Sequence, residues 1–106
     1  MVAVRIIDYV EQASTYDDGQ VIFNLIAKDI ANDCPVEVSF SGIQAVPSAF
    51  VNAAFLQLLE SVPMEKIRNN LKIIHSTKFI NDLIKRRFEF VIENSKSNTL
   101  KKQISS

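Results

Sequence analysis

Tryptophan is absent, histidine and cysteine occur once each, and glycine only twice in 106 residues. Each shortage removes a class of function. A single cysteine, Cys34, excludes an intrachain disulfide. It precedes Pro35 at the expected start of a strand and reads as a small residue rather than a reactive thiol. A lone histidine, His75, with no paired Cys or His cannot build a structural zinc site. Catalysis would need a nucleophile brought beside it, and Ser76 is a neighbour in sequence alone. Two glycines, Gly19 and Gly42, are too few for a glycine-rich phosphate loop. Asp17 and Asp18 have no third carboxylate at loop spacing and read as a helix start, not a cation site. No catalytic residue, metal or cofactor is expected, and the chain does not read as an enzyme. No apolar run approaches the ~18 residues of a membrane span. The N-terminus lacks a basic segment followed by a long apolar region, so no secretory signal is expected and the cytoplasm is the default location.

Apolar residues make up 47 % of the chain, and seven of the nine aromatics are Phe, which suits a core of Phe, Ile, Leu and Val. The length fits one compact domain. Net charge is zero, but the signs are segregated. Residues 1–64 hold two bases and eight acids, a balance of −6, and residues 65–106 hold ten bases and four acids, a balance of +6. Lys85, Arg86, Arg87, Lys96, Lys101 and Lys102 are the bases that nucleic-acid phosphates would meet. Basic residues late in a helix also suit its dipole, and a solvated basic face is the preferred reading.

The chain alternates between two periods. Val2–Tyr9 is rich in β-branched residues and reads as a strand. Thr15-x-x-Asp18 has the spacing of a helix start, and Ile22, Leu25, Ile26 and Ile30 then share one helical face. Pro35 ends this helix. Val36, Val38 and Phe40 alternate with Glu37 and Ser39 as a second strand. Gln44–Pro47 is a turn, Ser48 is a natural N-cap, and a helix is expected from there to about Ser61, where Pro63 stops it. Met64–Asn70 suits one helical turn, and Leu71–His75 a third strand. Ser76 or Thr77 caps a last helix with Ile80, Leu83, Ile84, Phe88 and Val91 on one face. From Ser95 the sequence is polar and reads as a frayed tail. This order predicts an α/β fold, β-α-β-α-β-α, with a small, mostly parallel sheet.

The central helix has an unusual outward side. Val51, Phe55, Leu58 and Val62 form its core arc. The opposite arc holds Ala49, Asn52, Ala53, Leu56, Gln57 and Glu60, with far fewer charges than a solvated face carries. Two readings stand side by side: a flat surface for a protein partner, or an ordinary buried helix covered by the C-terminal segment.

The run Phe40-Ser41-Gly42-Ile43 followed by Ser48-Ala49-Phe50-Val51-Asn52-Ala53-Ala54-Phe55 resembles the centre of STAS domains. Most closely it resembles the bacterial STAS-like family of unknown function, and Asp18-Gly19 at the first helix also fits. The resemblance spans roughly residues 17–93. It implies one STAS-like domain over residues 1–94, followed by a flexible basic tail over 95–106. It also implies a regulatory protein–protein interaction module related to anti-sigma-factor antagonists, with a histidine-kinase-like ATPase or similar regulator as partner. The chain is then a monomer or weak homodimer. The expected partner surface is Gln44, Ser48, Ala49, Asn52, Ala53 and Leu56. In antagonists the turn before this helix reads Asp-Ser-Ser-Gly, and one serine is phosphorylated to break the complex. Here it reads Val46-Pro47-Ser48-Ala49, with no aspartate and one serine. An ungapped match sets Ser48 on the first serine and Ala49 on the second. Ser48 is thus either a phosphoacceptor or simply the helix cap. A nucleic-acid-associated regulator using the basic C-terminal helix is the alternative function, and a small-ligand sensor at the carboxyl ends of the strands is a third.

Overall fold

The protein is described here from a computed structural model covering residues 2–105, with side chains through Glu93. Three strands, β1 (Val2–Arg5), β2 (Val36–Ser39) and β3 (Leu71–Ile74), form a parallel sheet in sequential order among the described residues. The helices are α1 (Tyr16–Ala31), α2 (Ser48–Ala54), α3 (Met64–Asn70) and α4 (Lys78–Ser105). This is the small parallel α/β architecture that the sequence predicts. The stretch from Ser95, expected as a tail, continues the backbone of α4 to Ser105, and its side chains lie outside the described residues.

The ladder register aligns Val4, Val38 and Ile73 on one face of the sheet, and Ala3, Glu37 and Lys72 on the other. Val36, Val38 and Phe40 are fully buried and meet Ile22, Ile26, Ile30, Phe50, Phe55 and Leu58 in one core. Phe40 packs edge-on to Phe50 (6.4 Å between ring centres, 76°) and tilted against Phe55 (6.2 Å, 44°). The opposite face leaves Ala3, Arg5 and Lys72 exposed. The result is two layers rather than the three usual for parallel sheets.

Helix α1 begins as its spacing predicts. The Thr15 hydroxyl accepts from the Asp18 N–H (3.1 Å), and the Asp18 carboxylate accepts from the N–H groups of Thr15 (3.2 Å) and Ser14 (3.1 Å). This capping box satisfies amides that the first helical turn leaves without partners.

Four boundaries differ from expectation. β1 ends at Arg5, because β2 offers no ladder partner beyond Ser39. Ile6–Asp8 instead forms a 3-10 turn, closed by Tyr9 N–H on the Ile6 carbonyl (3.0 Å) and by Arg5 on Asp8 (3.0 Å). β3 ends at Ile74, since His75 adopts a left-handed backbone (φ 54°). Ser48 is not the N-cap of α2. Pro47 holds that position in an extended conformation, and its carbonyl accepts the first helical bond, from Phe50. The central helix is also not continuous to Ser61. It breaks at Phe55 (φ −121°) into a 3-10 segment, Leu56–Glu60. The change of path accompanies complete burial of both Phe55 and Leu58.

Candidate functional site

The carboxyl ends of the strands carry the turn from Ser41 to Ala49. Ile43 N–H bonds back to the Phe40 carbonyl (2.8 Å), and Gly42 sits at φ +84° within that reversal. A Cβ there would need the left-handed conformation and would sit 3.3 Å from the Ile7 side chain. Val46 anchors the turn in the core, while Gln44, Ala45, Pro47, Ser48 and Ala49 are exposed.

A single hydroxyl ties this turn to α4. Thr77 Oγ1 donates to the Gln44 carbonyl (3.0 Å) and accepts from the Ile80 N–H (3.2 Å). It therefore caps α4 and pins the turn at once. Beside it, Ser39 Oγ accepts from the Ser41 N–H (3.2 Å) and lies 3.0 Å from His75 Nδ1. Ser39 is buried and His75 exposed. At the neighbouring strand end, Arg5 donates twice to Asp8 Oδ1 (3.1 and 3.0 Å), and this hydrogen bond, aided by the charge attraction, raises the guanidinium pKa. Among the described residues no group of three or more His, Cys, Asp or Glu could hold a metal ion. No described helix is long and apolar enough to cross a membrane.

Of the residues expected on the partner surface, Gln44, Ser48 and Ala49 share this exposed turn. Ser48 is the first residue of α2, one position past the N-cap Pro47. The other three do not form an open face. Ala53 is fully buried, and this corrects its expected exposure: α1 crosses α2 there with Gly19 at the contact. Asn52 is half-buried, with its Oδ1 accepting from Arg87 Nε of α4 (3.2 Å). Leu56 is half-buried against the core. The low charge of this side of α2 is therefore explained by cover: α1 lies over Ala53 and α4 over Asn52. Gln57 completes the cover, donating to Gln20 of α1 (2.7 Å) and to the Ala53 carbonyl (2.9 Å).

Thr77 reads as a cap from sequence, but its second bond reaches a residue 33 positions away. The Ser39–His75 bond spans 36 positions. Neither pairing leaves a local signal.

Fold and site together define a small two-layer α/β domain presenting a pinned, mostly apolar turn at the carboxyl end of a parallel sheet. The chain belongs to the family described as the STAS-like domain of unknown function (DUF4325), whose model matches residues 18–81. That match begins at the capping-box aspartate, includes the whole turn, and ends in the first turn of α4. No curated protein and no solved structure matches the chain.

Proposed function

We propose that the protein is a non-catalytic regulatory module that binds another protein through the turn Gln44–Ala49. The observation that carries this reading is Ser48. It stands exposed at the first position of α2, one residue past the N-cap Pro47, and the turn bearing it is pinned by Thr77 and anchored by Val46. A surface held in place this way loses little conformational entropy on binding. Family resemblance points to a histidine-kinase-like ATPase or similar regulator as partner. Phosphorylation of Ser48 would add about −1.5 to −2 charges in the middle of an otherwise uncharged turn and oppose docking by desolvation and repulsion.

Titration calorimetry of the purified chain against the histidine-kinase-like ATPases of its source cell tests this. Ala49→Arg and Ser48→Glu should each weaken binding at least about tenfold, corresponding to ~1.4 kcal/mol, with circular dichroism unchanged. Equal affinity for all three forms would remove the turn from the interface. A nucleic-acid role has less support. Asp82 and Glu89 interleave with the exposed Lys85 and Arg86, and Arg87 is committed to Asn52 and to the face of Phe90 (5.3 Å).

A further inference from the structure

Arg87 differs from the other described bases of α4. Lys78, Lys85 and Arg86 are exposed, and Arg86 spends its Nε on the Asp82 carbonyl of its own helix (3.3 Å). Arg87 is half-buried and reaches across to α2, where its Nε donates to Asn52 Oδ1 (3.2 Å) while the guanidinium lies over the Phe90 ring (5.3 Å). Its charge has no counterpart on its own helix. The residues three and four positions away, where helical ion pairs form, are Leu83, Ile84, Phe90 and Val91. Among the described residues the two Nη groups make no hydrogen bond or ion pair. A half-buried guanidinium held in place, with most of its donors unused, is prepared for an anion that takes two parallel hydrogen bonds.

Ser48 lies next to those unused donors. It and Asn52 are four residues apart on α2 and share a face, with Cβ atoms about 5–6 Å apart. Side chains on a helix lean toward its N-terminus, so the guanidinium that Asn52 holds stands over the turn that begins with Ser48. Ser48 is the only hydroxyl from Gln44 to Ala54, and the same stretch carries no charge.

We propose that Arg87 is the receptor for an anionic group on Ser48: a phosphoryl group there is drawn against α4 by the two Nη donors, while Nε keeps its bond to Asn52. The inference rests on the reading of Gln44–Ala49 as a docking surface switched at Ser48, and adds the residue that senses the charge. The transfer that loads the site is ordinary kinase chemistry. The Ser48 Oγ–P bond forms, the bond from the γ-phosphorus of a nucleoside triphosphate to its diphosphate breaks, and the hydroxyl proton passes to the kinase's base. Of the roughly −1.5 to −2 charges added, one guanidinium offsets about half. The bridged phosphate ties the first turn of α2 to α4, which Thr77 already joins to Gln44. The charge then changes the surface through α4 and not by repulsion alone.

The pairing is read on the full chain made with phosphoserine at position 48. In a phosphorus NMR titration its phosphate should bind the last proton about three- to tenfold more weakly than in the same chain with Arg87→Gln. Arg86→Gln removes an equal charge one residue away and should leave the titration unchanged. Circular dichroism checks the fold of each, and Arg87→Met, which keeps an apolar stem over Phe90, replaces Arg87→Gln if that variant does not fold. A second reading uses Ser48→Glu. A negative charge in the first turn of a helix is favourable by itself, so the informative quantity is the coupling. Ser48→Glu should favour folding about two- to fivefold more with Arg87 present than in the Arg87→Gln background. A phosphate that titrates alike with and without Arg87, an Arg86→Gln effect as large as that of Arg87→Gln, or additive effects of Ser48→Glu and Arg87→Gln would each overturn the proposal. Neither measurement involves a partner. A phosphate that follows Arg87 in a chain that binds no ATPase would leave the pairing standing and remove the docking reading. Binding at the turn, with a phosphate indifferent to Arg87, would do the reverse.

Discussion

Replacing Gly19 with alanine should destabilise the protein, although the position lies inside α1, where that exchange ordinarily stabilises by about 1 kcal/mol. The reason is the crossing with α2. A Cβ on Gly19 would stand 2.5 Å from the Phe50 carbonyl oxygen, 2.7 Å from Ala53 Cβ and 3.0 Å from the Ala54 nitrogen. Two of these three atoms belong to the backbone, so no rotamer change relieves the contact and the helices must separate. Overpacking in a well-filled core costs roughly 1–3 kcal/mol, and two backbone contacts this short place the site in the upper part of that range. After the helix-propensity gain of about 1 kcal/mol, a net loss of about 1–2 kcal/mol remains. For a domain of this size that lowers Tm by roughly 4–8 °C per kcal/mol. Urea titration followed by circular dichroism, with a thermal melt, measures both quantities. Adding Ala53→Gly removes the Cβ–Cβ contact but not the one to the Phe50 carbonyl. The pair should therefore be non-additive, with Ala53→Gly costing less in the Gly19→Ala background than alone. A Gly19→Ala protein as stable as the wild type, or more stable, would refute the close crossing and with it the burial of Ala53.

Two further substitutions probe the carboxyl end of the sheet. Thr77→Val removes a cap and the tie to Gln44 together; it should cost about 0.5–2 kcal/mol of stability and speed amide hydrogen exchange at Ala45 and in the first turn of α4, as read by hydrogen-exchange NMR. Ser39→Ala removes the partner of His75 Nδ1 and of the Ser41 N–H; it should cost roughly 1–3 kcal/mol and shift the imidazole signals of His75, and unmoved signals would count against the bond.

Periodicity and composition are local properties, and what they carry was legible. The Thr15–Asp18 box, the alternation of Val36, Val38 and Phe40, and the stripe Ile80, Ile84, Phe88 each follow from side-chain spacing along one element. So do the order of the elements, the parallel sheet and the family. Ser48 is not the cap its sequence suggests, because a serine before an apolar run suits an N-cap equally well one position earlier or later. Pro47, with its extended backbone, decided the register.

The candidate surface depended on tertiary structure. Ala53 and Asn52 face away from the sheet, as the helical period requires, but that period cannot say whether solvent or another helix lies beyond. Gly19 permits α1 to approach within contact of α2, and Arg87 brings α4 over Asn52; both neighbours are more than thirty residues away in the chain. What stays open on the expected surface is the turn of Gln44, Ser48 and Ala49, held by a threonine from the far side of β3. The sequence by itself determined the elements, the core and the family, because these rest on spacing within short segments. Only the packing of helix on helix decided which of the outward residues a partner can reach.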